Sequence, residues 1–192
     1  MDEATLIRRS QDGDLAAFNV LVDTYQQLAF TVAYRLLADG DTAADVTQDA
    51  FISAYEHIRS FRGGSFKAWL LRIVTNACHD QHRRRQRRPS TSLDQLMETP
   101  IADALVDHGE SPDDGAIRVE LQDYIQRGLL TLPIEQRVAV VLSDVQGFSY
   151  EEISDATNAS LGTVKSRLAR GRARLRDFLL AQQELLPAQF RS

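Results

Sequence analysis

The densest chemistry in the sequence lies toward its C-terminal end. Lys165–Arg176 reads KSRLARGRARLR, with six cations in twelve residues and no acid among them. Like charges three and four apart on a helix repel, so a helix shaped by stability alone would interleave carboxylates. At helical spacing, Val164, Leu168 and Leu175 form an apolar stripe, and Gly171 lies in line with it to admit a close neighbour. Lys165, Ala169, Arg172 and Arg176 run along another face, with Ser166, Arg170 and Ala173 beside them. That polar face suits a DNA major groove. Small side chains let the helix sit deep, residues near its N-terminus reach base edges, and later arginines reach phosphates.

A second basic cluster, RRRQRR at Arg83–Arg88, ends a helical pattern carrying Phe66, Trp69, Leu70, Ile73, Val74 and Ala77. Cys78, His79 and His82 lie within that pattern. Three neighbouring potential ligands without a second cluster make a poor zinc site, and Cys78 falls on or near the apolar side. The chain has no phosphate-cradling glycine loop and no carboxylate pair in an apolar setting. These features predict neither an enzyme nor a metal, cofactor or small-molecule substrate.

The elements that must position these clusters follow from the pattern around them. Ser149-Tyr150-Glu151-Glu152 is a capping box opening a short helix to about Thr157. Asn158–Gly162 makes a tight turn, and a long helix is expected from Thr163 to about Gln183. Short helix, turn and longer basic helix describe a helix-turn-helix. Upstream, Pro133 opens a helix that runs toward Gly147. At the other end of the chain, Phe18, Leu21, Val22, Tyr25, Leu28, Ala29, Val32 and Leu36 predict one helix from about Asp14 to Ala38. Val46, Ala50, Ala54 and Ile58 mark the next, and Ser60–Ser65 forms a glycine-containing loop. Nine of the fourteen aromatic residues fall between Phe18 and Trp69, enough for one small core. No strand pattern occurs.

The chain has 192 residues, room for one domain or two small ones, with an ordinary 43% apolar and 26% charged composition. No apolar run approaches the ~20 residues of a membrane span, and MDEATLIRRSQDGD is no secretory signal, so direct membrane insertion is not expected. A single cysteine excludes an intramolecular disulfide and points to the cytoplasm. The net charge of −5 hides a partition. Residues 1–60 hold ten acids and four arginines, and residues 90–123 hold nine acids and one arginine. Positive charge is left to the two basic clusters, which suggests partners of different sign. Residues 89–116, punctuated by Pro89, Pro100 and Pro112, read as an acidic flexible linker. Within it, Leu93, Leu96, Ile101 and Leu105 could form a short docking helix. The expectation is an all-α chain of two small helical domains, residues 1–88 and 117–192, joined by that linker.

Three motifs in order, DVTQDAF (Asp45–Phe51), F-R-G…F-x-x-W-L-x-R-I…N (Phe61–Asn76) and S-Y-E-E-I…G-T-V-K-S-R-L (Ser149–Leu168), give the chain a family resemblance. From about Leu6 to Leu180 it resembles an extracytoplasmic-function (group IV) sigma factor of bacterial RNA polymerase. The resemblance implies sigma region 2 in the first domain and the region 4 helix-turn-helix in the second. It implies that Asp45, Gln48, Asp49 and Ile52 dock core RNA polymerase on its β′ clamp helices, with region 4 on the β flap. An acidic face suits a basic partner.

Recognition and melting of the −10 element are implied for Phe61, Arg62, Gly63, Ser65, Trp69, Arg72, Asn76, His79, Asp80, Arg83 and Arg84. Melting needs cations along the backbone, a surface for unstacked bases and polar groups that read a flipped base. The loop Arg62–Ser65 corresponds to the one holding that base. Trp69 is equally placed for core packing and for stacking on DNA. Contact with the −35 element is implied for Thr163, Lys165, Ser166, Arg167, Ala169, Arg170 and Arg174, with Thr163, Arg167 and Arg174 facing phosphate or scaffold. Promoter DNA and an anti-sigma factor complete the implied partners. A dimeric helix-turn-helix regulator with an N-terminal ligand-sensing domain is the second reading. Such a sensor needs a pocket or dimer seam in place of the DVTQDAF and W-L-x-R-I…N signatures.

Overall fold

In a computed structural model, residues 2–87 and 112–181 are described, with side chains from residue 119 onward in the second stretch. Aspartate and serine caps punctuate the chain. Asp2 accepts from the Thr5 amide (2.8 Å) and starts α1, Glu3–Gln11. Asp14 accepts from the Ala17 amide and starts α2, Leu15–Leu37. Asp39 does the same for Thr42 at α3, Gly40–His57. Each side chain satisfies an amide that the helix itself leaves without a partner. A single 3-10 turn, Ile58–Ser60, leads to α4, Phe66–Arg87, where Ser65 accepts from the Ala68 amide.

The second half comprises α5 (Pro112–Leu130), α6 (Ile134–Val140), α7 (Tyr150–Thr157) and α8 (Leu161–Ala181). A wider π turn, Val141–Val145, extends α6, and Gly147 follows at φ +68° in the left-handed region. The fold is all-α, with no strand among the described residues.

Three differences from the sequence expectation have local causes. The helix α1 has only the adjacent Leu6 and Ile7, with Ser10, on its buried side, too few for a periodic signal. The long basic helix begins at Leu161, two residues early, because Ser160 accepts from the Thr163 amide (3.2 Å) and serves as its cap. The second domain starts by Pro112, whose missing N–H is harmless in a first helical turn. The rest of the proposed linker, including Leu93–Leu105, lies outside the described residues.

The largest difference is in packing. Buried residues from both halves form one continuous core, from Leu6 and Phe18 through Phe66, Leu71 and Val74 to Ile153, Val164 and Leu168. The helix α4 is central. It packs on α2 and α3 with one side and on α7 with another. That position explains why Leu70, Leu71, Val74 and Cys78 are all fully enclosed.

Candidate polymerase and promoter surfaces

Asp45, Gln48, Asp49 and Ile52 share one exposed face of α3, and Ile52 is 52% exposed. Val46, Ala50 and Ala54 hold the opposite side in the core. Gln48 and Ile52 also line an open groove of about 640 Å³ between α2 and α3. Its apolar wall is Leu15, Phe18, Val22, Phe30, Phe51 and Tyr55. Sequence reading missed this groove. The signal was the width of the apolar band on α2, broader than one buried stripe requires.

The segment expected at the −10 element divides into scaffold and surface. Phe61, Phe66 and Trp69 form a mutually tilted aromatic cluster with centroids 5.5–5.8 Å apart, and Phe66 also meets Tyr25. Phe61 and Phe66 are buried, and Trp69 is half-buried. Offset aromatic contacts of this kind add to area burial. The structure thus places Phe61 in the scaffold, and of the three rings only Trp69 keeps an open edge. The loop above is held from α1. Gln11 donates to the carbonyls of Ile58 (3.1 Å) and Phe61 (2.9 Å), and Arg59 donates to the Gln11 carbonyl. Gly63 and Gly64 take φ +100° and +89°, which a side chain would resist. Arg62, Gly63 and Ser65 are exposed.

Along α4, Arg72, Asn76, Asp80, Arg83 and Arg84 are exposed and His79 is half-buried. Asp80 and Arg83 form an ion pair one turn apart. Arg85 differs from its neighbours: it donates to the Asp39 carboxylate (2.6 Å) and the Thr42 hydroxyl (2.7 Å), fastening α4 to the start of α3. The Arg85 hydrogen bond and the Thr42 amide outweigh burial and hold the Asp39 carboxyl below its ordinary range. Arg85 is therefore structural, unlike the exposed Arg83 and Arg84 of the same cluster. Burial raises the Cys78 thiol to about 12, leaving it protonated and unreactive at neutral pH. No group of three or more potential metal ligands occurs among the described residues.

The helix α8 shows the division expected of a reading helix. Val164, Leu168 and Gly171 are buried. A Cβ on Gly171 would lie 2.7 Å from Val140 Cγ2, so only glycine permits this approach of α6. Lys165, Ala169, Arg170 and Arg174 are exposed, and Thr163, Ser166 and Arg167 are half-buried. None of Lys165, Arg167, Arg170 or Arg174 forms an ion pair among the described residues. Arg172 is a correction to the sequence reading. It makes a two-pronged pair with Asp144 (2.5 and 2.9 Å) and a bond to Ser143, bracing α8 on the π turn rather than facing DNA. The Arg172 guanidinium holds the Asp144 carboxyl below its usual range.

An all-α chain with a central arginine-tipped helix, a capped helix-turn-helix and an exposed acidic face on α3 resembles the sigma-70 class. Residues 21–88 match the family Sigma-70 region 2, and residues 122–175 match Sigma-70, region 4. The sequence is 36% identical to the ECF RNA polymerase sigma factor SigW of Bacillus subtilis (strain 168) over 175 residues, 88% of this chain and 92% of the relative. It is 35% identical to the ECF RNA polymerase sigma-E factor of Escherichia coli (strain K12), covering 90% of this chain and 91% of that one. Among solved structures it is similar to CnrH in complex with the cytosolic domain of CnrY. That match has TM-score 0.67 and 25% identity, covering 92% of this chain and 96% of the other. It is also similar to the sigma factor RpoE in complex with the anti-sigma factor NepR from Bartonella quintana. There the TM-score is 0.64 and the identity 28%, covering 84% and 96%. The chain belongs to the ECF RNA polymerase sigma factor family. No helix among the described residues is long and apolar enough to cross a membrane.

Proposed function

We propose that this chain docks core RNA polymerase through Asp45, Gln48, Asp49, Ile52 and the adjoining apolar groove, and directs it to promoters with a −35 and a −10 element. The observation that carries the reading is the exposed face of α8, where Lys165, Arg170 and Arg174 have no carboxylate partner among the described residues and stand beside the small Ala169. Lys165, Ser166, Ala169 and Arg170 read base edges, and Thr163, Arg167 and Arg174 meet phosphate or scaffold. Arg62, Arg72, Arg83 and Arg84 follow the −10 backbone. Asn76, His79 and Asp80 contact its unstacked bases, the loop Arg62–Ser65 holds a flipped base, and Trp69 offers an edge to it. Phe61 is the floor of that loop.

The chain carries out no chemistry of its own, and binding energy and the polymerase open the duplex. It acts in the cytoplasm with region 4 on the β flap, under the control of an anti-sigma factor. The test is run-off transcription by core polymerase, with and without this protein, on randomised −35 and −10 sequences. Promoter-specific transcripts are expected. Duplex selection by the protein alone, with no transcript, would transfer the assignment to the dimeric-regulator reading.

A further inference from the structure

The helix α1 ends in a reciprocal lock with the loop Ser60–Ser65. A helix leaves its last four carbonyls without internal partners. In α1 these belong to Arg8, Arg9, Ser10 and Gln11. Arg8 O and Arg9 O accept from the Asp12 amide (both 3.1 Å), and Ser10 O accepts from the Gly13 amide (3.0 Å). Gln11 O is reached from far along the chain: it accepts from Arg59 Nε (3.1 Å), 48 residues on. A cation suits this negative helix end. The Gln11 side chain returns the connection. Its Nε2 donates to Ile58 O (3.1 Å) and to Phe61 O (2.9 Å), so both amide hydrogens are committed. The other end of α1 grips the same scaffold. The Tyr25 hydroxyl donates to the Glu3 carboxylate, and the Tyr25 ring centroid lies 5.5 Å from that of Phe66.

The loop does not hold itself in place. A Cβ on Gly63 or Gly64 would meet nothing within 4 Å, and both residues take the left-handed φ that glycine alone adopts freely. An open space of about 710 Å³ separates Ala4, Ile7 and Arg8 of α1 from Arg62, Gly63 and Gly64. The loop therefore takes its position from its two stems. The far stem is local: Ser65 caps α4 through the Ala68 amide (3.1 Å). The near stem is Phe61, where the chain leaves the 3-10 turn at φ −66° and ψ 118°. Phe61 O belongs to the peptide that launches Arg62, and that peptide is planar, so donation from Gln11 fixes the direction in which Arg62 departs. We propose that Gln11 is the positioning residue of this loop, orienting Arg62–Ser65 for a flipped base and so setting base preference at one position of the −10 element without touching DNA.

The arrangement separates positioning from stability. Gln11 is half-buried and Arg59 is exposed, whereas Leu6 and Ile7 bury the apolar side of α1. Removing the Gln11 amide leaves Ile58 O with its second donor, the Phe61 amide (3.1 Å), and leaves Phe61 O to water. The helix stays packed while the loop gains orientations. Only one of those orientations matches a given base, so the loss falls on base selection.

This inference rests on the proposed function for the flipped base, but the hold on the loop is read without polymerase. Trypsin cleavage of the free full-length chain after exposed Arg62 reports opening of the loop. Gln11→Met keeps the length of the side chain and removes both donors. It should speed that cleavage about tenfold, the shift that two ordinary hydrogen bonds exert between them, while cleavage within Arg83–Arg87 and the melting temperature stay unchanged. Thr5→Val, at a half-buried position of α1 whose hydroxyl accepts from Arg8 of the same helix, should leave cleavage after Arg62 as it was. In run-off transcription on randomised promoters, Gln11→Met should lower enrichment about tenfold at a single −10 position and leave the −35 preference intact. Unchanged cleavage after Arg62 in folded Gln11→Met would overturn the hold on the loop. Faster cleavage with unaltered −10 preference, or an equal loss at every promoter position, would overturn the role in base selection. If the unmodified protein supports no transcription, that counts against the sigma-factor function, and the cleavage rates still decide the hold. If Gln11→Met does not fold, Arg59→Ala decides: the loss of one hydrogen bond should speed cleavage after Arg62 about threefold, and an unchanged rate refutes the lock.

Discussion

The helices α4 and α8 have 22 and 21 residues, and both are rich in arginine, yet they are built on opposite plans. In α8 a narrow buried stripe of Val164, Leu168 and Gly171 anchors the helix, and among the described residues Lys165, Arg170 and Arg174 form no ion pair, whereas Arg172 braces the π turn and Arg176 meets Asp177. In α4 most of the circumference is occupied. Leu70, Leu71, Val74 and Cys78 are enclosed, Arg85 is committed to Asp39, and Arg83 is paired with Asp80. A helix that reads duplex DNA needs one open face. On the proposed function α4 handles separated strands and needs a rigid rim and a preformed loop, which here rest on the aromatic cluster. Substitutions should therefore mainly unfold the protein in one region and mainly weaken binding in the other.

The largest effect is expected at Phe66→Ala. It removes a side chain 1% exposed that contacts Tyr25, Phe61 and Trp69, and should cost about 3–5 kcal/mol in chemical denaturation. Next come Lys165→Ala and Arg170→Ala. Each should cost about 1–3 kcal/mol of −35 duplex affinity by fluorescence anisotropy, with the melting temperature unchanged. Loss of stability in place of affinity would break the contrast between the helices. Smaller still, Arg174→Ala should reduce the salt slope of DNA binding by about one ion, whereas Arg172→Ala should leave the slope alone and cost at most about 1 kcal/mol of stability.

The smallest effect concerns the cleft between the halves. Partial burial holds His79 and His82 below their ordinary 6.5; Glu135 opposes this, and Arg83 and Arg167 near His79, Arg85 and Arg137 near His82, reinforce it. Below pH 6.5 the unfolded chain then binds more protons than the folded one, so stability falls as pH drops. The melting temperature should decline as pH falls below 6.5, less so in His79→Gln.

Legibility in the sequence followed the range of the interaction. The limits of α2 at Asp14 and Ala38 and the capping box of α7 are set by residues a few positions apart, and the pattern revealed them. The family motifs supplied the candidate reading surfaces. Committed arginines were not legible: Arg85 finds Asp39 46 residues away, and Arg172 finds Asp144 28 away. Nothing in a run of arginines marks which one will be claimed. The union of the two halves was invisible for the same reason. Arg35 meets Gln126 across 91 residues, and Leu36 meets Arg137 across 101. The one hint was Arg137 itself, a lone charge entering the apolar run Val138–Leu142.

The borrowed end of α2 also imposes an order on synthesis. When Leu36 leaves the ribosome, the arginine that will cap it lies 101 codons downstream. At about 5–20 residues per second, that is about 5–20 seconds of waiting. During that interval two carbonyls of α2, those of Arg35 and Leu36, are open to water. Any factor that engages the N-terminal half in that window meets it before Gln126 and Arg137 have been made.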